Sequence, residues 1–359
     1  MCSPFCSPFK EAEKAVKAAT NALRDYRNSQ QEQHLTTAII HYHHAYETSN
    51  EKHNQYPDII INYTALLNKQ DRLSGGNYNL EQVIQLLEEA RMVMENRPSP
   101  TEKYGVLLNI LGQVYLDRYR ISKTSEALAS ATKMFEQARS QNRSSPVSLD
   151  YASSLIGSAS VIRTACELQP PAATDVEQLN AAITLLKTAQ VQSDVEIQEE
   201  CCRHLASVYD LLHKRTRNPR DLDFSIDYHT RILYMLHPQS LNRAPALLDL
   251  AKRHLERHTL PNAHPDLVAA QRYRDEAQNL VGQGPEAEEL EKKIGVLTRK
   301  MEKLKSSGDA LASRQGQMLP LPADSFSQPG TLQIDWNRSS EQVFLPSHQK
   351  PQTGTTEVE

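Results

Sequence analysis

The stretch Leu80–Ala90, LEQVIQLLEEA, decides the fold, because the chain repeats its pattern five more times. Its anchors are Leu80, Val83, Ile84, Leu86, Leu87 and Ala90. Offsets of three, four, seven and ten residues place side chains on one helical face, so the stretch predicts an amphipathic helix. The same offsets recur from Leu35 (Ala38, Ile39, His41, Tyr42, Ala45), from Leu128 (Ala131, Thr132, Met134, Phe135, Ala138) and from Leu179 (Ala182, Ile183, Leu185, Leu186, Ala189). Two weaker copies start at Leu222 (Ser225, Ile226, Tyr228, His229, Ile232) and Leu267 (Ala270, Gln271, Tyr273, Arg274, Ala277). Small residues at the offsets of three and ten, such as Ala131 and Ala138, let a neighbouring helix approach closely.

The copies begin at 35, 80, 128, 179, 222 and 267, giving steps of 45, 48, 51, 43 and 45 residues. A period of this size marks stacked helix pairs, in which no single pair can bury its apolar stripe alone. A partner helix is written before each copy. Tyr63, Leu111, Ile162, Leu205 and Leu250 each stand 17 residues ahead of the next leading leucine. Small or nearly small residues follow four of them: Thr64, Gly112, Ala206 and Ala251. Arg163 breaks this rule and leaves the register of that helix open.

Leu111-Gly112 with Tyr115, followed by Ala131, Phe135 and Ala138, resembles the tetratricopeptide signature L-G-x2-Y and A-x3-F-x2-A. The repeat here exceeds the family's usual length of about 34 residues. In that respect, and in Arg220-Asp221-Leu222 and Pro265-Asp266-Leu267, the chain resembles long-period fungal tetratricopeptide arrays. Such arrays often precede a CHAT protease-like domain, and no such catalytic domain is written here. The resemblance covers roughly Leu35 to Val281 and implies an all-α, right-handed solenoid of about five or six antiparallel helix pairs with a concave groove. In that family the groove is lined mainly by the first helix of each pair. Carried over position by position, the implied inward-facing residues are Asn109, Gln113, Asp117, Arg203, Ser207, Asp210, Lys252 and Glu256. They mix charge signs, which argues against a dedicated clamp for one acidic C-terminus.

Four segments follow from the patterning. Residues 1–9 contain a duplicated Cys-Ser-Pro-Phe and read as a flexible end; acylation at Cys2 or Cys6 is the sharper alternative, with no basic patch beside it. Residues 10–284 form the repeat domain, opened by a capping helix (Ala15, Val16, Ala19, Leu23, Tyr26). Residues 285–305 carry Leu290, Ile294, Leu297, Met301 and Leu304, an a/d seam that reads as a terminal capping helix or, in the minority reading, a coiled-coil homodimer contact through 286–304. Residues 306–359 are rich in Ser, Gln, Pro, Gly and Thr and read as a disordered tail. Leu332, Ile334, Trp336 and Phe344 interrupt that tail in the manner of a short docking motif.

Helix starts are marked at Ser99–Glu102, Thr174–Glu177 and Ser193–Glu196, and Pro245 falls in a first helical turn. The 359 residues carry a net charge of −4, too near neutral to imply nucleic acid or an anionic membrane. No run is apolar and long enough for a membrane span, and the N-terminus lacks a hydrophobic signal core. Five cysteines, odd in number, read as reduced thiols and a cytoplasmic setting, with the nucleus left open. His34, His41, His43 and His44 on one helix, and Cys201, Cys202 and His204 on another, invite a metal reading, but neither set completes a site. The basic run His213–Arg220 lacks interleaved aromatics and reads as a solvated connector. With no phosphate loop or nucleophile elbow, the sequence carries no catalytic residues, cofactor or metal. The expectation is a non-catalytic scaffold binding a protein partner. The alternatives are a regulatory or sensor subunit of a separate CHAT-like or biosynthetic enzyme and, least favoured, an unrecognised metal-dependent enzyme.

Overall fold

The computed structural model describes residues 9–315 apart from 30, 75–79, 98–102, 143–147, 192–194, 239, 241, 261–265 and 283–284. Side chains are further left undescribed at 71–74, 195–196, 285–286 and 307–315. The expectations for Cys2, Cys6, Ser99–Glu102, Ser193 and the tail motif at Leu332, Ile334, Trp336 and Phe344 lie outside the described residues. Among the described residues there are thirteen α-helices and no strand. They are α1 (Lys10–Ser29), α2 (Glu32–Glu47), α3 (Tyr56–Ser74), α4 (Leu80–Glu95), α5 (Tyr104–Ser122), α6 (Ser125–Gln141) and α7 (Leu149–Leu168). Then follow α8 (Asp175–Val191), α9 (Val195–Thr216), α10 (Pro219–Met235), α11 (Arg243–His258), α12 (Asp266–Leu280) and α13 (Pro285–Gln315). The described residues from Phe9 to Lys305 belong to one compact unit.

From α1 to α12 each helix packs on the next, most extensively within α1–α2, α5–α6, α7–α8, α9–α10 and α11–α12. Alternate helices also meet, α5 with α7 and α7 with α9. This is a helical solenoid whose even-numbered helices are the six copies of the opening pattern. The small positions explain the close stacking. Ala38, Ala131, Ala182, Ser225 and Ala270 at the third offset, and Ala45, Ala90, Ala138, Ala189 and Ala277 at the tenth, are fully buried. Leu87, Phe135 and Leu186 at the seventh offset are buried as well. Burial of such a side chain is worth about 1.5–3 kcal/mol, so the array is held by a thin line of anchors repeated many times.

The helix ends follow local chemistry. Ser148 Oγ accepts from the Tyr151 amide at 3.2 Å to cap α7. Asn218 Oδ1 accepts from the Arg220 amide at 3.1 Å, and Pro219 opens α10. Pro245 stands third in α11, as the first-turn reading expects. The start expected at Thr174 is where α8 begins, with Asp175 as its first residue. Asp175 turns inward, buried, to meet Arg215 Nε at 3.0 Å, so it holds α9 to α8. The open register of α7 also resolves: Ala159, Ser160, Val161 and Thr164 are buried, with Ile162 only partly so.

The 285–305 seam lies against the chain's own core. Ile294, Leu297 and Met301 are buried in the same cluster as α7–α12 side chains, with Leu290 and Leu304 packed beside them. Arg274 of α12 donates to Thr298 Oγ1 at 2.9 Å. The helix therefore acts as a cap, covering the last repeat's apolar face with its own.

Candidate functional site: a cavity between three parallel helices

Among the cavities, the one of about 280 Å³ between α5, α7 and α9 combines an apolar floor with converging polar groups. Its floor is set by Phe135 of α6. That ring comes up between two glycines: a Cβ on Gly157 would meet Phe135 Cε1 at 2.1 Å, and one on Gly112 would meet its Cζ at 2.8 Å. Only hydrogen fits at both places, so the ring can pass between α5 and α7 and show its edge to the opposite side. Val106, Ile110 and Ile156 complete the apolar wall.

The polar rim comes from the same three helices. Asp150, Ser153, Gly157 and Ser160 run along α7 at steps of three, four and three residues and share one face. Asn109 and Gln113 face them from α5, and Glu200 and His204 from α9. Asn109 Nδ2 donates to the Asp150 carbonyl at 2.9 Å. Its Oδ1 is buried and accepts from no protein group. Ser160 Oγ and His204 Nδ1 lie 3.2 Å apart, while His204 Nε2 stands 3.9 Å from Glu200.

The electrostatics of the rim divide along its length. Burial pushes the Asp150 carboxyl up, and burial does the same to Glu200. His204 is driven down to about 4, first by burial and then by repulsion from Arg163 and Arg120, so it is neutral at physiological pH. Those two arginines are themselves paired, Arg163 to Glu167 at 2.6 Å and Arg120 to Asp117 at 2.6 Å. Burial lowers Arg163 despite its glutamate. The cavity wall itself offers two carboxylates and no lysine or arginine.

The inward-facing candidates fare unequally. Asn109 and Gln113 line the cavity. Gln113 also donates to Asp117 at 3.1 Å, and Asp117 holds Arg120. Arg203 is tied along its own helix to Glu199, and Ser207 Oγ donates to the Arg203 carbonyl. Lys252 is exposed on α11. Asp210 is buried: it accepts from Ser225 Oγ at 2.5 Å and forms an ion pair with Arg253 of α11. Arg253 also meets Glu256 at 3.1 Å. Asp210 thus belongs to a buried strut between α9, α10 and α11, which Glu256 flanks from a partly exposed position. Asp150, Ser160, Glu200 and His204 were not among the sequence candidates. The Asp150-Ser153-Gly157-Ser160 stripe, small and polar on an otherwise apolar helix, was the available signal.

Among the described residues no group of three or more His, Cys, Asp or Glu side chains is placed to hold a metal. His43 and His44 are exposed. Cys201 and Cys202 are fully buried, and burial pushes the Cys201 thiol up to about 12, where it is inert as a nucleophile. Among the described residues no helix is long and apolar enough to cross a membrane.

Fold and cavity together define a helical-repeat protein with an open polar cavity on its odd-numbered helices. No family model matches the chain, and no curated protein matches it. Solved structures do align. BtubC (BKLC) from P. vanneervenii is 12% identical over 90% of this chain and 98% of that one, with a TM-score of 0.40. The nuclear import adaptor Nro1 of S. pombe is 12% identical over 79% of this chain and 98% of its own, with a TM-score of 0.43. The de novo designed helical repeat protein DHR64 is 16% identical over 81% and 98%, with a TM-score of 0.17. At these scores the likenesses carry no argument about what the chain does.

Proposed function

We propose that the chain is a non-catalytic scaffold or adaptor of tetratricopeptide-like type, holding a peptide or helix of a protein partner against its odd-numbered helices. The observation that supports this most directly is the cavity between α5, α7 and α9. There the glycines at 112 and 157 open an apolar floor beneath a rim of side-chain donors and acceptors. An apolar recess with a few convergent polar groups is the usual form of a binding site. The buried thiols Cys201 and Cys202 are raised by burial and make poor nucleophiles.

The test is affinity capture from native extract with the wild-type chain, a Ser153→Arg variant that fills the cavity, and a version ending at Lys305. A partner retained by the wild type and lost by Ser153→Arg, with helicity and thermal unfolding unchanged, supports the groove. Cross-links from that partner should fall on α5 and α7. Identical partner sets for wild type and Ser153→Arg would remove this reading. Identical sets for the full chain and the version ending at Lys305 would remove a docking role for Leu332, Ile334, Trp336 and Phe344.

A further inference from the structure

We infer that the α5–α7–α9 cavity is a receptor for one basic side chain, a lysine or arginine, presented by the protein partner. The inference rests on the scaffold reading and specifies the chemistry of what the groove holds. Three observations carry it. The cavity's formal charges are two carboxylates, Asp150 and Glu200, on facing helices. A third acceptor, Asn109 Oδ1, is buried with its donors elsewhere, because Asn109 has turned its Nδ2 toward the Asp150 carbonyl. The remaining walls, Val106, Ile110, Ile156 and the Phe135 edge, are apolar.

Such a site is rich in acceptors and poor in donors. A group that satisfies it must bring several N–H donors, a positive charge and an aliphatic stem, which is the inventory of lysine and arginine. Size agrees. At about 280 Å³ the space falls at the small end of ligand pockets, suited to one side chain and not to a cofactor. The cations nearby do not compete for the carboxylates. Arg163 is paired to Glu167 and Arg120 to Asp117, both beyond the His204 end of the rim. Glu200 reaches the rim with its side chain about half exposed, while burial raises the Asp150 carboxyl with no countercharge supplied. A bound ammonium or guanidinium would supply it, through charge-assisted hydrogen bonds.

The test is a methyl NMR titration of the full chain. N-acetyl-lysine methylamide is compared with the norleucine and glutamate derivatives of the same form. Val106, Ile110 and Ile156 are the reporters. The expected result is saturable shifts of these three methyl sets with the lysine derivative alone. Asp150→Asn with Glu200→Gln should weaken the binding about tenfold or more. Both substitutions keep the shape, and the wild-type comparison decides by itself if the double variant fails to fold. Equal shifts with norleucine would make the cavity a plain apolar recess and overturn the inference. Shifts with glutamate would turn the site into an anion receptor served by Arg163 and Arg120, which also overturns it. So would an absence of shifts, or full affinity in the folded double variant. Partner capture that still depends on Ser153, without a lysine response, retires the basic-residue inference and leaves the scaffold standing. Loss of both retires the scaffold.

Discussion

The junction between α5 and α7 and the junction from α9 to α11 occupy equivalent places in the array and are filled with opposite materials. In the first, the seventh-offset residue is Phe135, and its ring passes between Gly112 and Gly157. In the second, the same offset carries His229, whose Nε2 stands 3.9 Å from the buried Asp210 carboxylate. Asp210 in turn holds Arg253 and Ser225. One turn further along the array, Asp266 of α12 meets His254 Nδ1 at 2.8 Å and Arg257 Nη2 at 2.6 Å on α11. Apolar shape locks one end of the stack and ionic satisfaction locks the other. A repeat needs its neighbour in both cases, but the two ends should respond to different insults: volume changes at α5–α7, charge changes at α9–α12.

The largest effect should come from breaking the charged lock. Removing one partner of a buried pair leaves the other uncompensated and typically costs about 3–5 kcal/mol. Asp210→Ala should therefore lower the urea midpoint sharply, while Asp210→Leu with Arg253→Leu recovers much of the loss, since both charges leave together. A single-variant cost under about 1 kcal/mol, the range of exposed pairs, would dissolve the contrast between the two ends. The next largest should be Gly157→Ala. Its new Cβ has nowhere to go while Phe135 keeps its rotamer, and overpacking of this kind costs about 1–3 kcal/mol. Adding Phe135→Leu should return part of that stability by vacating the space. Hydrogen exchange should place the loosening in α5–α7 for the glycine variant and in α9–α11 for the aspartate variant.

Acid separates the ends further. His204 titrates in the folded chain near pH 4, against 6.5 for an ordinary histidine. The unfolded state therefore binds more protons between those values, and stability falls as pH drops through that window. His254, lowered mainly by burial, adds the same sign in the C-terminal half. The carboxylates act below this. Asp210 and Asp266 are held under the usual carboxylate value of 3.8, despite burial, by hydrogen bonds and by the charges of Arg253 and Arg257. Their stabilisation is complete above that value and disappears as pH falls through their lower folded values. His204→Gln should flatten the stability profile between pH 6.5 and 4, leaving the steeper loss below intact. A profile unchanged by that substitution would show that burial, with Arg163 and Arg120 beside it, does not hold His204 down as described.

The sequence made the even-numbered helices plain because their burial is periodic and local: Leu80 to Ala90 contains every fact needed to place it. The cap at Ile294, Leu297 and Met301 was legible for the same reason, though not what it would lie against. The cavity was half legible. Asn109 and Gln113 could be carried over from the motif, but Glu200 and His204 reach it through a juxtaposition of α7 and α9 that bridges 44 residues between Ser160 and His204. Asp210 shows the opposite failure. Its spacing from Leu205 matches an inward face, and only the arrival of Arg253 from α11 makes it a buried strut. Charged residues at helical spacing carry no mark that tells a solvated face from an ion pair, because their partners are set by stacking. Hydrophobic periodicity has no such ambiguity.

The smallest expected effect guards the comparison against a simpler explanation, that the α9–α11 end is sensitive to any lost charge. Arg231 pairs with Asp227 at 2.9 Å on the same helix, with both side chains nearly half exposed. Water screens such a pair and two long side chains must be ordered to make it, so it is worth a few tenths of a kcal/mol. The Arg231 guanidinium also lies 5.2 Å from the centre of the Tyr228 ring, a contact of about 0.5–1 kcal/mol at an exposed site. Arg231→Gln should then move the urea midpoint by well under the shift of Asp210→Ala, and raising the salt concentration should narrow the gap between Arg231→Gln and wild type. The pair at Asp210 and Arg253, shielded from solvent ions, should keep most of its effect at the same salt. If Arg231→Gln proved as costly as Asp210→Ala, the ionic end would owe its strength to the charge density of α9–α11 as a whole, and burial would lose its place in the account.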